Sequence, residues 1–143
     1  KGVNVSQIYT KVLETKTRAN FELSKRAIDR LEFLQDGKVA FTYITEDDMK
    51  DVNAQIGDHE GIVEIGRGVE GVEVSIFIRE NNERNAYKVS LRASINSKVN
   101  VSDVCYMFGG GGHQKAAGAL IQGTREEVKG KVLKEVEKHL NKK

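Results

Sequence analysis

The sequence predicts an α/β fold in which a mixed β-sheet of about four to five strands carries helices packed on it. Three observations favour this class. Segments of helical and strand-like periodicity alternate along the chain, one pair of strand-like segments has the form of a hairpin, and several helix starts carry capping residues. The chain has 143 residues, 38% of them hydrophobic, which suits a single domain with its own core.

The first predicted elements are a long helical region and a strand. From Val5 to Leu34 the apolar residues recur at helical spacing, which predicts one long helix or two short ones, and Gly37 is placed to end this region. Val39 to Ile44 is rich in β-branched and aromatic residues and predicts a strand. Thr45 follows as the N-cap of a short helix whose first turn is acidic.

The middle of the chain contains the clearest local prediction, a β-hairpin. A short apolar segment between Gly57 and Gly71 predicts one helix flanked by loops. Val72 to Ile78 and Tyr87 to Ser94 then predict two strands, joined by the polar loop Asn81 to Asn85. Because side chains alternate along a strand, Arg92 is expected to face away from the core.

The last third of the chain predicts helices around a glycine-rich loop. Asn100 to Phe108 predicts a capped helix, and four glycines follow at 109–112. The small residues at 114–118 predict a further helix that packs tightly against its neighbours. A short strand is expected at 119–122, and a capping box at 124–127 predicts the last helix.

The four glycines and the histidine after them predict a site for a phosphate group. Glycine backbones can come close to a ligand, and consecutive N–H groups before a helix can point at one anion. In that arrangement Gly110, Gly111 and Gly112 supply backbone donors, His113 donates from the exit of the loop, and Lys115 adds charge nearby. The alternative interpretation is a flexible connector, although connectors do not usually carry a histidine and small residues directly after them.

Arg92 is the second candidate for the site. A guanidinium on the outer side of a strand can hold a phosphate through two hydrogen bonds or stack on a base. Ser94 lies close to it in sequence and can add a hydrogen bond. The alternative interpretation is an ordinary solvated charge, because arginine is mostly exposed in proteins.

Composition and residue pattern exclude several classes of function. A net charge of +2 is too small for bulk affinity towards long nucleic acid, and no apolar run approaches the roughly 18 residues that indicate a membrane span. Cys105, the single cysteine, predicts a reducing compartment, which we take as the cytoplasm, and no structural zinc site. The triplet at 58–60 predicts a polar loop, because adjacent residues rarely converge on one metal. We therefore expect neither metal ligands nor catalytic residues in this chain.

Two segments carry a resemblance to a known family. KVSLRAS at 88–94 and GGGGHQKAAGA at 109–119 resemble the C-terminal, DHH-associated domain of the DHH phosphoesterases, most of all the bacterial oligoribonuclease and phosphoadenosine-phosphate phosphatase type. The resemblance covers residues 38–143. Residues 1–37 look like a helical connector that follows another domain, so we expect the chain to be a fragment of a two-domain protein.

The resemblance implies a division of labour between two domains. In this family an N-terminal DHH domain carries a manganese pair and the catalytic residues, while the C-terminal domain holds the substrate. Carried over to this sequence, it implies that the residues contacting phosphate or nucleotide are Arg92, Gly110, Gly111, Gly112 and His113. It implies no cofactor in this chain, manganese in the other domain, and a short RNA or DNA oligonucleotide or a nucleotide of the pAp kind as the ligand.

Three hypotheses for function follow. The first is a nucleotide-binding domain that closes against its own DHH domain. The second is a non-catalytic RNA-binding or dimerisation module, as the related appended domain of alanyl-tRNA synthetases suggests, with apolar faces on the first and last helices serving a homodimer. The third is an independent metalloenzyme that uses His59, His113 and Cys105, which the sequence favours least.

Overall fold

The computed structural model describes residues 16–141 of the chain. Its helices and strands alternate along the chain as the sequence predicts. The helices are α1 (Arg18–Asp29), α2 (Glu46–Asp51), α3 (Ile62–Arg67), α4 (Val101–Tyr106) and α5 (Arg125–Leu140). The strands are β1 (Glu32–Leu34), β2 (Val39–Ile44), β3 (Val74–Asn81), β4 (Ala86–Ala93), β5 (Gly111–His113) and β6 (Ala116–Gln122).

The strands form one mixed sheet with the order β1-β2-β3-β4-β6-β5. Strands β2 and β3 pair in parallel, and the other neighbours pair antiparallel. The predicted α/β class and mixed sheet are therefore confirmed, with six strands where the sequence predicted four to five.

Helices cover the two faces of this sheet unequally. On the face that we call the α5 face, α4 and α5 pack over a large core that includes Val89, Leu91 and Val132. On the opposite face, the α1 face, α1 and α3 pack over a smaller core that includes Leu23, Ile62 and Phe77. The exposed Lys88 and His113 lie where β4, β6 and β5 extend beyond these helices. The α1 face is thus open on that side of the sheet, within the described residues.

The predicted helix starts are confirmed. Thr45 and Thr124 each form a capping box with the residue three positions later, and the Asn100 side chain accepts hydrogen bonds from two backbone N–H groups at the start of α4. The predicted hairpin is confirmed as β3 and β4, with a 3-10 turn at Asn82–Arg84 inside the predicted loop. The single helix expected between residues 57 and 71 is α3.

Two predictions at the N-terminal side need correction. The helical region predicted from Val5 to Leu34 is, in the described residues, a helix that ends at Asp29 and a separate strand, β1, that pairs with β2; its part at 5–15 lies outside the described residues. Gly37 does not end a helix. It lies in the β1–β2 turn, where Gln35, Asp36 and Gly37 all have positive φ. Three residues are too few for a strand to produce a visible periodicity.

The helix predicted at 114–118 is wrong. β5 and β6 form an antiparallel hairpin there, and β6 begins at Ala116, three residues before the predicted strand. Ala117, Ala119 and Ile121 are buried at a two-residue period, so the segment contributes a strand's inward face to the core. In the structure the small residues serve the close packing of neighbouring strands, whereas the sequence predicts close packing of a helix.

Candidate phosphate-binding site

Arg92 and His113 lie in one row across the open part of the α1 face. In the pairing of β4 with β6, Arg92 is opposite Ala116, and in the pairing of β5 with β6, Ala116 is opposite His113. Directly opposed residues point to the same side of a sheet, and neighbouring strands lie about 4.8 Å apart. The two side chains therefore flank a gap of about 10 Å whose floor is a single methyl group.

The next row towards the middle of the sheet also has a low floor. It contains Ser90, Gly118 and Gly111, which are register partners on β4, β6 and β5. Two of these three residues have no side chain, so the surface beside Arg92 and His113 is a shallow groove. Its polar groups are backbone atoms, the Ser90 side chain and the Lys88 ammonium, which leans over Gly118.

The glycine run is required by the hairpin itself. A Cβ on Gly110 would lie 2.1 Å from the Gly118 carbonyl oxygen, and a Cβ on Gly112, whose φ is +148°, would lie 2.6 Å from the Ala116 oxygen. A Cβ on Gly111 meets no atom within 4 Å. The run therefore lets β5 approach β6 closely. The sequence predicts a helix after the run whose dipole points at an anion, but a strand follows it instead.

The Arg92 guanidinium is held in place by two partners. Its Nε donates to Glu64 Oε2 at 3.0 Å and its Nη1 donates to the Leu91 carbonyl oxygen at 2.9 Å. Glu64, on α3, is also paired with Arg67, whose Nε lies 2.7 Å from Glu64 Oε1. A guanidinium has five N–H groups, so three remain for a ligand. The expected outward direction of Arg92 is confirmed, but the side chain is only 28% exposed, because α3 packs beside it.

Lys115 and Ser94 lie just past the strand ends beside this row and are engaged within the protein. Lys115 Nζ donates to the carbonyl oxygens of Ser94 at 3.0 Å and Ser97 at 2.5 Å. The Ser94 amide donates to the Glu73 carbonyl oxygen at 2.8 Å. These bonds fix the turn after β4, directly behind Arg92.

Several residues of this surface were not singled out as candidates from the sequence. The two-residue period of β4 places Lys88 on the same face as Arg92, and that signal is present in the sequence. Ala116 and Gly118 were assigned to a helix, which concealed their place in the floor. Glu64 is 28 residues from Arg92, and no local pattern links the two.

The structure gives no sign of a metal centre. Within residues 16–141 no group of three His, Cys, Asp or Glu side chains is arranged to hold a metal ion, so His59, His113 and Cys105 do not form one. Burial raises the pKa of the Cys105 thiol to about 11. Burial, together with the nearby charge of Arg79, lowers the pKa of His59. No helix in the described part of the chain is long and apolar enough to cross a membrane.

The sequence and the fold are those of a DHH-associated domain. The sequence profile of the DHHA1 domain matches residues 36–142, and the chain belongs to this family. The match includes both strands that carry Arg92 and His113, so the resemblance of the two segments to the DHH-associated domain is confirmed.

Individual relatives agree with this assignment. The chain is 30% identical, over 122 residues that make up 85% of it, to the bifunctional oligoribonuclease and PAP phosphatase NrnA of Thermus thermophilus. An exopolyphosphatase-related protein from Bacteroides fragilis is 29% identical and superposes on 98% of the chain with a TM-score of 0.83. The pGpG-specific phosphodiesterase PggH from Vibrio cholerae shares the fold, with a TM-score of 0.63 over 85% of the chain and 14% identity.

The chain spans only part of each of these proteins. It covers 35% of the Thermus protein and 40% of each of the other two. Each relative therefore has more than half of its length outside the matched region.

Proposed function

We propose that this chain is the nucleotide-binding domain of a cytoplasmic, manganese-dependent phosphoesterase of the oligoribonuclease and pAp phosphatase kind. The observation that carries the proposal is the row in which Arg92 and His113 flank Ala116 on the open part of the α1 face. One donor side chain on each side of a flat floor of small residues suits a phosphate with a sugar or base lying beside it.

In this proposal Arg92 makes the main contact. Its three remaining N–H groups can form a two-point hydrogen bond with a phosphate, while Glu64 keeps the guanidinium from turning away. His113 donates from the opposite wall. The backbone of Gly111 and Gly112 lines the β5 side of the groove. The Gly110 N–H already donates to the Cys105 carbonyl oxygen at 2.9 Å, so Gly110 contributes a close backbone approach and no free donor.

Lys115 and Ser94 support the site from behind. Lys115 holds the turn after β4 through two carbonyl oxygens, and its positive charge adds to the potential that attracts an anion. The Ser94 hydroxyl supplies a further hydrogen bond to the ligand.

Catalysis belongs, in this proposal, to the chain's own DHH domain. Because residues 16–141 contain no group of three metal-ligating side chains, the manganese ions that the family resemblance implies do not fit on this domain. The proposed role of the groove is to present the scissile phosphate of a short oligonucleotide or nucleotide to that domain.

The test is the affinity of the 143-residue chain for a 5′-phosphorylated adenosine pentanucleotide. We expect Arg92→Ala and His113→Ala each to weaken binding about 10-fold to 100-fold, since a hydrogen bond to a charged group contributes about 1.5–3 kcal/mol. Arg84→Ala and Gln114→Ala are matched controls, because both residues are exposed and neither lies in the row. Binding that is equal in all five proteins would overturn the site.

A dimerisation module is the second candidate, and one observation favours it. Phe21 is 56% exposed and Ile28 is 49% exposed on the outer side of α1. The apolar residues of the last helix do not add to such a surface, because Val128, Val132 and Val136 are buried in the core of the same chain. Sedimentation velocity of the chain and of Phe21→Ser separates the two candidates, since only a dimer through α1 dissociates in the variant.

A further inference from the structure

A pair of cations lies on the α1 face, further along the same strands. Arg79 on β3 is the register partner of Lys88 on β4, and Lys88 is in turn opposite Leu120 on β6. Lys88 lies four residues before Arg92 and on the same face, so the two rows are about 13 Å apart at about 3.3 Å per residue. The groove with Ser90 and Gly118 lies between them.

The Lys88 ammonium leans into this groove. A Cβ built on Gly118 would lie 2.7 Å from Lys88 Nζ, so the ammonium occupies space that the absent side chain leaves. Lys88 is exposed. Whereas Arg92 is paired with Glu64, Lys88 has no carboxylate within ion-pair distance in residues 16–141.

Arg79, the register partner of Lys88, has an unsatisfied donor. Its Nε is buried and has no hydrogen-bond partner among the described residues, and the same is true of His59 Nδ1. Burial, and to a smaller extent the charge of Arg79, lowers the pKa of His59. A buried donor without a partner costs free energy. Among residues 16–141 no carboxylate lies within ion-pair distance of Arg79 or Lys88, so an anion bound at this row supplies the opposite charge that both cations lack.

We propose that Lys88 and Arg79 form a second phosphate subsite. Arg92 and His113 form the first subsite and bind one phosphate of an oligonucleotide, and the second subsite binds another phosphate of the same oligonucleotide. The inference rests on the proposed function and deepens it, because it makes the groove a site for an oligonucleotide of several units. The nucleotide between the two phosphates lies over Ser90, beside the Lys88 ammonium that leans over Gly118. A mononucleotide occupies only the first subsite.

The test uses the salt dependence of binding, which counts phosphate contacts. For single-stranded nucleic acid, log K decreases with log salt, and the magnitude of this slope is smaller by about 0.7 for each phosphate that a cation no longer neutralises. We expect Lys88→Gln to lower that slope by about 0.7 for a 5′-phosphorylated adenosine pentanucleotide. Its affinity at roughly 0.1 M salt falls about fivefold, while the affinity for AMP stays unchanged. Arg79→Gln gives the same pattern if its thermal melting confirms that it folds.

Lys134→Gln is the matched control, since it removes the same charge from an exposed position on α5, across the sheet from the groove. Arg92→Ala weakens the binding of both AMP and the pentanucleotide, because each of them uses the first subsite. If the wild-type chain binds both ligands and Lys88→Gln behaves as Lys134→Gln, the second subsite is wrong and the proposed function stands. If Lys88→Gln loses affinity for AMP and for the pentanucleotide by the same factor, the second subsite is also wrong. If the wild-type chain binds neither ligand, the proposed function fails as well.

Discussion

Arg92 and His113 face each other across one small residue of the strand between them, although they lie on different strands and 21 positions apart in sequence. Ala116 is the register partner of both. The separation of the two donors is therefore set by the strand spacing of the sheet and not by the flexibility of a loop. A binding site on paired strands holds its groups more precisely than one on a loop.

The floor between these residues gives the first prediction. Ala116→Val should weaken binding of the pentanucleotide on the order of tenfold, because the larger side chain fills the gap between the two donors. Ala116 is only partly buried, and valine suits a strand, so the free energy of unfolding should change by no more than about 0.5 kcal/mol. Titration calorimetry and urea unfolding of the same samples check both statements.

Gln122→Val is the control for this prediction. Gln122 is exposed and points to the same face of the same strand, six residues from the row, or about 20 Å away. Equal binding by the wild-type chain and Ala116→Val would mean that the ligand does not lie between Arg92 and His113.

Two neighbouring glycines provide a second, purely structural prediction. Gly110→Ala places a Cβ 2.1 Å from the Gly118 oxygen and 2.7 Å from Ala119 Cβ, so we expect a loss of about 1–3 kcal/mol in the free energy of unfolding. Gly111→Ala meets no atom within 4 Å, and its stability should stay within about 0.5 kcal/mol of the wild-type chain. Thermal melts of both variants distinguish them. Equal loss in the two would contradict the hairpin geometry.

How much of this site the sequence could predict is clearest at the glycines. Their composition correctly indicates a close backbone approach, but the group that approaches Gly110 and Gly112 is the chain's own strand β6. Alanine has the highest helix propensity, so residues 114–118 look helical when taken alone. Pairing of β6 with β4 and burial of Ala117 and Ala119 override that local preference.

Local patterns predict what lies within one element and fail for pairs between elements. The two-residue period of β4 correctly places Arg92 on the face away from the larger core, and the capping residues correctly mark three helix starts. The contact of Arg92 with Glu64 joins β4 to α3. Such a contact depends on where α3 packs, and no spacing in the sequence encodes it.

The single cysteine gives a third prediction. Burial raises the pKa of Cys105 to about 11, so at pH 8 only about one molecule in a thousand carries the reactive thiolate. We expect no reaction with Ellman's reagent in the native chain and one thiol per chain after unfolding in guanidinium. Gln122→Cys, which adds an exposed thiol, should react at once. Rapid reaction of the native wild-type thiol would support a nucleophilic role for Cys105.

The fourth prediction concerns the pH dependence of stability at Asp48, which accepts hydrogen bonds from Arg26 and Arg30. Burial by itself raises the pKa of Asp48, but the bonds from Arg30, the Thr45 backbone and Arg26 outweigh it, and the pKa is lowered far below its usual range. A carboxyl whose pKa is lower in the folded state contributes fully to the free energy of unfolding above its unfolded pKa near 3.9, and this contribution is lost as the pH falls through the folded pKa.

Asp48→Asn should therefore lower the free energy of unfolding by about 3 kcal/mol at pH 7. The difference in stability from the wild-type chain should narrow below about pH 4. Urea unfolding at pH 7, 4 and 2.5 measures it. Asp47→Asn, at the exposed neighbouring position, should show neither effect, and a gap for Asp48→Asn that is constant with pH would exclude the ion pair as its cause.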